Sequence, residues 1–121
     1  MSFKVMVADD SAVMRKIIIR SLNAVGVTDI VEIGDGDKAI TAFAGGGFHL
    51  VLTDWNMPGK TGLELVRAIR ASGSQIPVIM VTTEVERGRV IDAIQAGITD
   101  YLAKPFEADM LRTKLKRYLP L

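Results

Sequence analysis

The chain contains no cysteine and a single histidine. The first absence excludes a disulfide scaffold, a thiolate nucleophile and any cysteine-ligated zinc or iron–sulfur centre, and the second excludes a multi-histidine metal site. No apolar run approaches the ~20 residues that span a bilayer. Residues 1–10 show neither the apolar core nor the cleavage site of a signal peptide, so the expectation is a cytoplasmic protein. Charge of one sign is also missing: 15 Lys and Arg against 14 Asp and Glu leave +1, which gives no global attraction for nucleic acid or an anionic membrane. There is no low-complexity tract and no linker. What is present is 121 residues, 49% of them apolar and 24% charged, the balance of one globular domain spanning 1–121. A chain of this length can bury roughly two-thirds of its unfolded surface.

Short apolar runs alternate with longer stretches of helical period, and Gly, Pro, Asn or Asp stands at most joins. The pattern predicts strands at Phe3 to Ala8, Asp29 to Ile33, Leu50 to Thr53, Val78 to Val81 and Thr99 to Ala103. Helices are predicted at Ser11 to Val25, Asp37 to Ala44, Gly62 to Ala71, Glu84 to Ala96 and Glu107 to Tyr118. In the first helix Val13, Met14, Ile17, Ile18, Leu22 and Val25 share one face, Arg15, Lys16, Arg20 and Asn23 take the other, and Gly26 closes it. Gly45-Gly46-Gly47 reads as a helix stop. Runs as apolar as Leu50-Val51-Leu52 and Val78-Ile79-Met80-Val81 call for burial on both faces, which a parallel sheet covered by helices supplies. The fold class is therefore α/β. Five units are too few for an eight-stranded barrel, so an open doubly wound sheet with helices on both sides is expected.

Ligands of such sheets bind beyond the carboxyl ends of the strands, and polar residues stand at those ends here. Asp9 and Asp10 follow the first strand, Asp54 the third and Thr82 and Thr83 the fourth, while Lys104, before Pro105, follows the fifth. Carboxylates brought together by a fold repel one another, which raises the proton affinity of some and weakens the free domain unless a cation neutralises them. A site of oxygen donors without His or Cys suits Mg²⁺ better than zinc. An Asp-Asp pair alone would equally fit a strand end or a helix cap. The combination with Asp54 and Lys104 is what singles it out.

These residues carry a resemblance. Asp9-Asp10, the run Leu52-Thr53-Asp54-Trp55-Asn56-Met57-Pro58-Gly59, Thr82 and Tyr101-Leu102-Ala103-Lys104-Pro105-Phe106 together resemble the receiver domain of two-component response regulators over essentially the whole chain. The likeness is greatest to the stand-alone regulators of chemotaxis. It implies a flavodoxin-like sheet of five strands in the order 2-1-3-4-5 with five helices. It also implies that Asp54 is the phosphoacceptor and that Mg²⁺ is held by Asp10, Asp54 and the backbone carbonyl of Asn56, with Asp9 acting through a metal-bound water. Lys104 and Thr82 would bind the phosphoryl group, Thr82 and Tyr101 would form a switch in which Tyr101 moves inward, and the Lys104–Pro105 bond would be cis. The implied partners are a histidine kinase as phosphodonor, a flagellar-motor switch protein or another target, and a phosphatase. The protein would be a monomer catalysing only its own phosphorylation and dephosphorylation. A phosphorelay intermediate or a phosphate sink without a direct target fits the same residues.

Val85, Val90, Ile91, Ala93 and Ile94 form a wider apolar arc than one buried stripe requires, and with Tyr101 and Lys114 they make a candidate output surface whose key members are Val90, Ile94, Tyr101 and Lys114. Arg112, Lys114, Lys116 and Arg117 read as a solvated face. His49 stands where relatives often carry an acid, at the amino end of its strand and away from the carboxyl edge. Thr83, beside the switch residue, is larger than the Ala often found there. An aspartyl-nucleophile phosphohydrolase would place a second acid two residues after the nucleophile, where this chain has Asn56. A flavin carrier of similar fold would need a Ser/Thr/Gly phosphate loop where Asp9-Asp10-Ser11 stands.

Overall fold

The computed structural model describes residues 2–120; Met1 and Leu121, the two ends of the expected domain, lie outside the described residues. Five strands alternate with five helices: β1 (Lys4–Ala8), α1 (Ala12–Ala24), β2 (Asp29–Ile33), α2 (Gly36–Ala44), β3 (Leu50–Thr53), α3 (Gly62–Ala71), β4 (Val78–Thr82), α4 (Arg87–Ala96), β5 (Asp100–Ala103) and α5 (Ala108–Tyr118). Every strand pair is parallel and the order is β2-β1-β3-β4-β5. No described helix is long and apolar enough to cross a membrane.

All residues of β3 and β4 are buried because the sheet carries a helical layer on each face. Alternation along the strands sorts the core into two halves. Val5, Val7, Leu50, Leu52, Ile79 and Val81 pack with Ile18 and Leu22 of α1 and Leu111 and Leu115 of α5. Met6, Ala8, Val51, Val78 and Met80 pack with Ala39 of α2, Leu65, Val66 and Ile69 of α3 and Ala93 of α4. Local chemistry fixes the helix ends. Ser11 caps α1 by accepting a hydrogen bond from Met14 N–H, Thr61 and Glu64 form a reciprocal capping box on α3, and Gly97 ends α4 at φ 111°, a left-handed conformation that favours glycine.

Two helices depart from the pattern read in the sequence. α4 begins at Arg87, three residues later than its apolar period suggests, because Glu84 N–H donates to the Thr82 hydroxyl at 3.2 Å and Glu86 is left as a cap without a side-chain bond. On α1, Val13 and Ile17 are exposed despite their period, since only Ile18, Ser21 and Leu22 turn fully into the core.

Candidate functional site

The site forms where β1, β3 and β5 end. Asp9 prolongs β1: its N–H donates to Ile33 O at 3.0 Å, its Oδ1 accepts from Ser11 N–H at 2.9 Å, and its carbonyl accepts from Arg15 Nη1 at 2.6 Å. It is 1% exposed. Asp54 prolongs β3, with its N–H bonded to Ala8 O at 2.9 Å and its Oδ1 accepting from Trp55 N–H at 2.6 Å. Lys104 follows β5, and its N–H reaches Thr82 O at 3.0 Å. The Lys104–Pro105 peptide is cis. The Lys104 ammonium donates to Asp9 Oδ2 at 2.7 Å and to Asp54 Oδ2 at 2.8 Å. Burial works against its charge, but the hydrogen bonds and negative charges of Asp54 and Asp9 outweigh that, so its pKa lies above the ordinary lysine value.

Asp9, Asp10 and Asp54 each offer a carboxylate oxygen, all within 4.8 Å of one another. Asp10 is exposed and Asp54 half-buried, so the cluster is open to solvent on one side. Three carboxylates against one ammonium leave two negative charges uncompensated, and an oxygen-only donor set with this excess suits a hard divalent cation. The acidic cluster is therefore compatible with a metal site.

Around it lie the remaining residues expected from the sequence, and some that were not. Thr82 is fully buried, its oxygen taken by Glu84 N–H. Asn56, in the loop after β3, donates from Nδ2 to Glu84 Oε1 at 3.0 Å, so Glu84 joins the loop after Asp54 to the residue that ends β4. The Tyr101 hydroxyl is already buried, without a hydrogen-bond partner among the described residues. Burial, then the charges of Glu84 and Asp54, raise its pKa. The Tyr101 residue as a whole is half-buried, packed against the core half that holds Met80 and Ala93.

On the candidate output face, Val85, Ile91 and Ile94 are exposed, Val90 is half-buried and Ala93 is buried. Ile94, Ile98, Thr99, Asp100 and Tyr101 line a cleft of about 340 Å³. Lys114 is held at the start of β5, donating to Asp100 Oδ1 at 2.9 Å, while Tyr118 donates to Asp100 Oδ2 at 2.8 Å. His49 lies before β3 at the opposite edge, accepting at Nδ1 from Lys4 N–H at 3.0 Å and meeting the Phe3 ring edge-on. Sequence reasoning missed Glu84 and Arg15. The helical period places Glu84 in a helix and Arg15 on a polar helix face, and no linear signal says that the Arg15 guanidinium turns back to β1.

Known proteins resemble this chain over nearly all of its length. A family model described as the response regulator receiver domain matches residues 5–116. The chain is 42% identical over 116 residues to the chemotaxis protein CheY of Pseudomonas aeruginosa, covering 94% of each chain. Among solved structures, the chemotaxis response regulator CheY4 of Vibrio cholerae has a TM-score of 0.89 at 30% identity, over 98% of this chain and 100% of that one. The receiver domain of a sensor histidine kinase from Pseudomonas aeruginosa, solved with a magnesium ion coordinated in its active-site cleft, has a TM-score of 0.88 at 28% identity over 100% of both chains.

Proposed function

The chain belongs to the response regulator receiver domain family, a regulatory family of two-component signalling, and from that premise we propose that it accepts a phosphoryl group on Asp54 from a histidine kinase and turns it into a change of its α4–β5 surface, with its output in chemotaxis. The observation that carries this reading is the single ammonium of Lys104 held between Asp9 and Asp54 at 2.7 and 2.8 Å, beside the exposed Asp10. The chemotaxis assignment rests on the 42% identity to CheY of Pseudomonas aeruginosa.

Mg²⁺ is the cation proposed for the cluster, with Asp10, Asp54 and the Asn56 carbonyl as ligands and Asp9 acting through a bound water. When bound it supplies the positive charge that lets an anionic carboxylate approach an anionic phosphoryl group. The chain's own residues do the rest. An Asp54 carboxylate oxygen attacks phosphorus and a P–O bond forms as the donor's P–N bond breaks. The bonding pair leaves with the imidazole nitrogen, which takes up a proton. Lys104 is placed to follow the charge from the Asp54 oxygen onto the phosphoryl oxygens, so one cation serves both states. The product is an acyl phosphate, and attack by water on phosphorus returns the carboxylate and inorganic phosphate, which makes the signal transient.

Thr82 links this chemistry to the surface. Its hydroxyl proton is free to be donated to a phosphoryl oxygen, while its oxygen holds Glu84 N–H at the approach to α4. Movement of Thr82 toward Asp54 therefore pulls the segment that leads into α4, on the side of the sheet where Tyr101 stands. A coupling of about 1–3 kcal/mol is enough to change target affinity 5- to 150-fold. A flagellar-motor switch protein is the target this reading names, with a phosphatase as a further partner. The test is incubation with acetyl phosphate and Mg²⁺ followed by intact mass. One added phosphoryl group is expected in wild type and none in Asp54→Asn; full labelling of that variant contradicts the assignment.

A further inference from the structure

Arg15 makes a contact that the phosphoryl chemistry above does not use. Its Nη1 donates to the backbone carbonyl of Asp9 at 2.6 Å while its Nε donates to Glu32 Oε1 at 3.0 Å, so the guanidinium is fixed between the end of β1 and a carboxylate on β2. Its side chain is 19% exposed, as expected of a group seated against the fold. The Asp9 carbonyl belongs to the peptide that joins Asp9 to Asp10. Holding that oxygen fixes the peptide plane, and with it the direction in which Asp10 leaves the backbone. Asp9 itself needs no such help, because Ser11 N–H and Lys104 already orient its carboxylate. Asp10 is exposed, so the backbone is its main restraint.

We propose that Arg15, braced by Glu32, is a positioning residue for the cation site: it orients Asp10 through the Asp9 carbonyl and thereby sets the affinity for the divalent ion. The proposal rests on the reading of Asp9, Asp10 and Asp54 as that site. The planar fork of arginine serves two acceptors at once, which a lysine ammonium on a flexible stem does not reproduce. The sign of the effect separates positioning from simple charge. Arg15 is a cation near a cation site, so if only its charge mattered, removing it would tighten Mg²⁺ binding.

Calorimetric titration of the whole chain with Mg²⁺ tests this in wild type, Arg15→Lys and Arg15→Ala, alongside the phosphorylation rate at saturating Mg²⁺ and the melting temperature without metal. Both variants are expected to bind Mg²⁺ about tenfold more weakly, the lower end of what outer partners of metal ligands contribute. Their rates at saturating Mg²⁺ should stay within about twofold of wild type, since Asp54 and Lys104 are untouched. Should Arg15→Ala not fold, Arg15→Lys decides alone. A lowered melting temperature with unchanged Mg²⁺ affinity, or tighter binding by Arg15→Ala, overturns the proposal. If wild type itself does not bind Mg²⁺, the reading of the cation site fails and this inference falls with it; unchanged affinity in the variants, with wild type binding, removes the inference alone.

Discussion

Replacing Lys104 by methionine keeps most of the stem that packs beside β5 and removes the ammonium that Asp9 and Asp54 share. The side chains of Lys104, Asp9 and Asp54 are 11%, 2% and 12% exposed, so the loss strands two carboxylates in a poorly solvated place. Removing one partner of a buried ion pair costs about 3–5 kcal/mol. The opening beside the exposed Asp10 favours the lower figure, near 3 kcal/mol, or a fall of about 10 °C in Tm for a domain of this size. Mg²⁺ should recover part of this loss, because the cluster now lacks its resident cation. If the variant binds the ion tenfold more tightly, saturating Mg²⁺ returns about 1.4 kcal/mol more than it gives wild type. Urea unfolding followed by circular dichroism, in EDTA and in Mg²⁺, measures both effects: a gap of about 3 kcal/mol should shrink by roughly half. The sign with pH follows from the raised pKa of Lys104. Its stabilisation is fully present below the unfolded lysine pKa of about 10.4 and disappears as pH climbs through the higher folded value, so the gap should close only in strong alkali. Equal stability of the two proteins in EDTA, or a gap that Mg²⁺ leaves unchanged, refutes this account of the cluster.

Asp100→Asn should cost about 2 kcal/mol near pH 7 by weakening the bonds from Lys114 and Tyr118. Burial opposes the charge on Asp100, but these bonds and Tyr101 N–H hold its pKa below the ordinary value; its contribution is present above about pH 4 and is lost as pH falls through the lowered folded pKa, so the difference in melting temperature from wild type should vanish in acid. Gly62→Ala would drive a Cβ into the Asp54 backbone carbonyl, so a loss of about 3 kcal/mol in urea unfolding is expected together with slower phosphorylation as the Asp54 backbone shifts. Thr82→Ala should cost about 1 kcal/mol and still accept phosphate at Asp54, while the NMR shifts of the Val90 and Ile94 amides expected on phosphorylating wild type should be absent from the variant.

The sheet was legible because burial on both faces leaves an unbroken apolar run, as in Leu50-Val51-Leu52, and the first helix because Ser11 and Gly26 mark its ends through bonds and backbone angles that depend on near neighbours. The acidic cluster was legible for a related reason: strand ends of a parallel sheet share an edge, so Asp9, Asp10, Asp54 and Lys104 needed only the topology to meet. What escaped depends on where long side chains turn. A 3.6-residue period gives Val13 and Ile17 the same standing as Ile18 and Leu22, and only the packing of α5 and the sheet decides that the first two stay outside. Glu84 looked like the first turn of α4 because its competing bonds, to Thr82 at the end of β4 and to Asn56 in the loop after β3, leave no mark in the helical period. Strand order, too, came from resemblance, since periodicity alone allows several orders for an open parallel sheet.

The central claim is that phosphate from a histidine donor comes to rest on the Asp54 carboxylate. Borohydride reduces an acyl phosphate to the alcohol, turning a phosphorylated aspartate into homoserine. Peptide mass mapping after transfer from a phosphorylated histidine kinase, with reduction before digestion, reads the acceptor position directly. Homoserine at position 54 and nowhere else is the predicted result; homoserine at position 9 or 10, or borohydride-resistant phosphate on His49, Thr82 or Thr83, would contradict it.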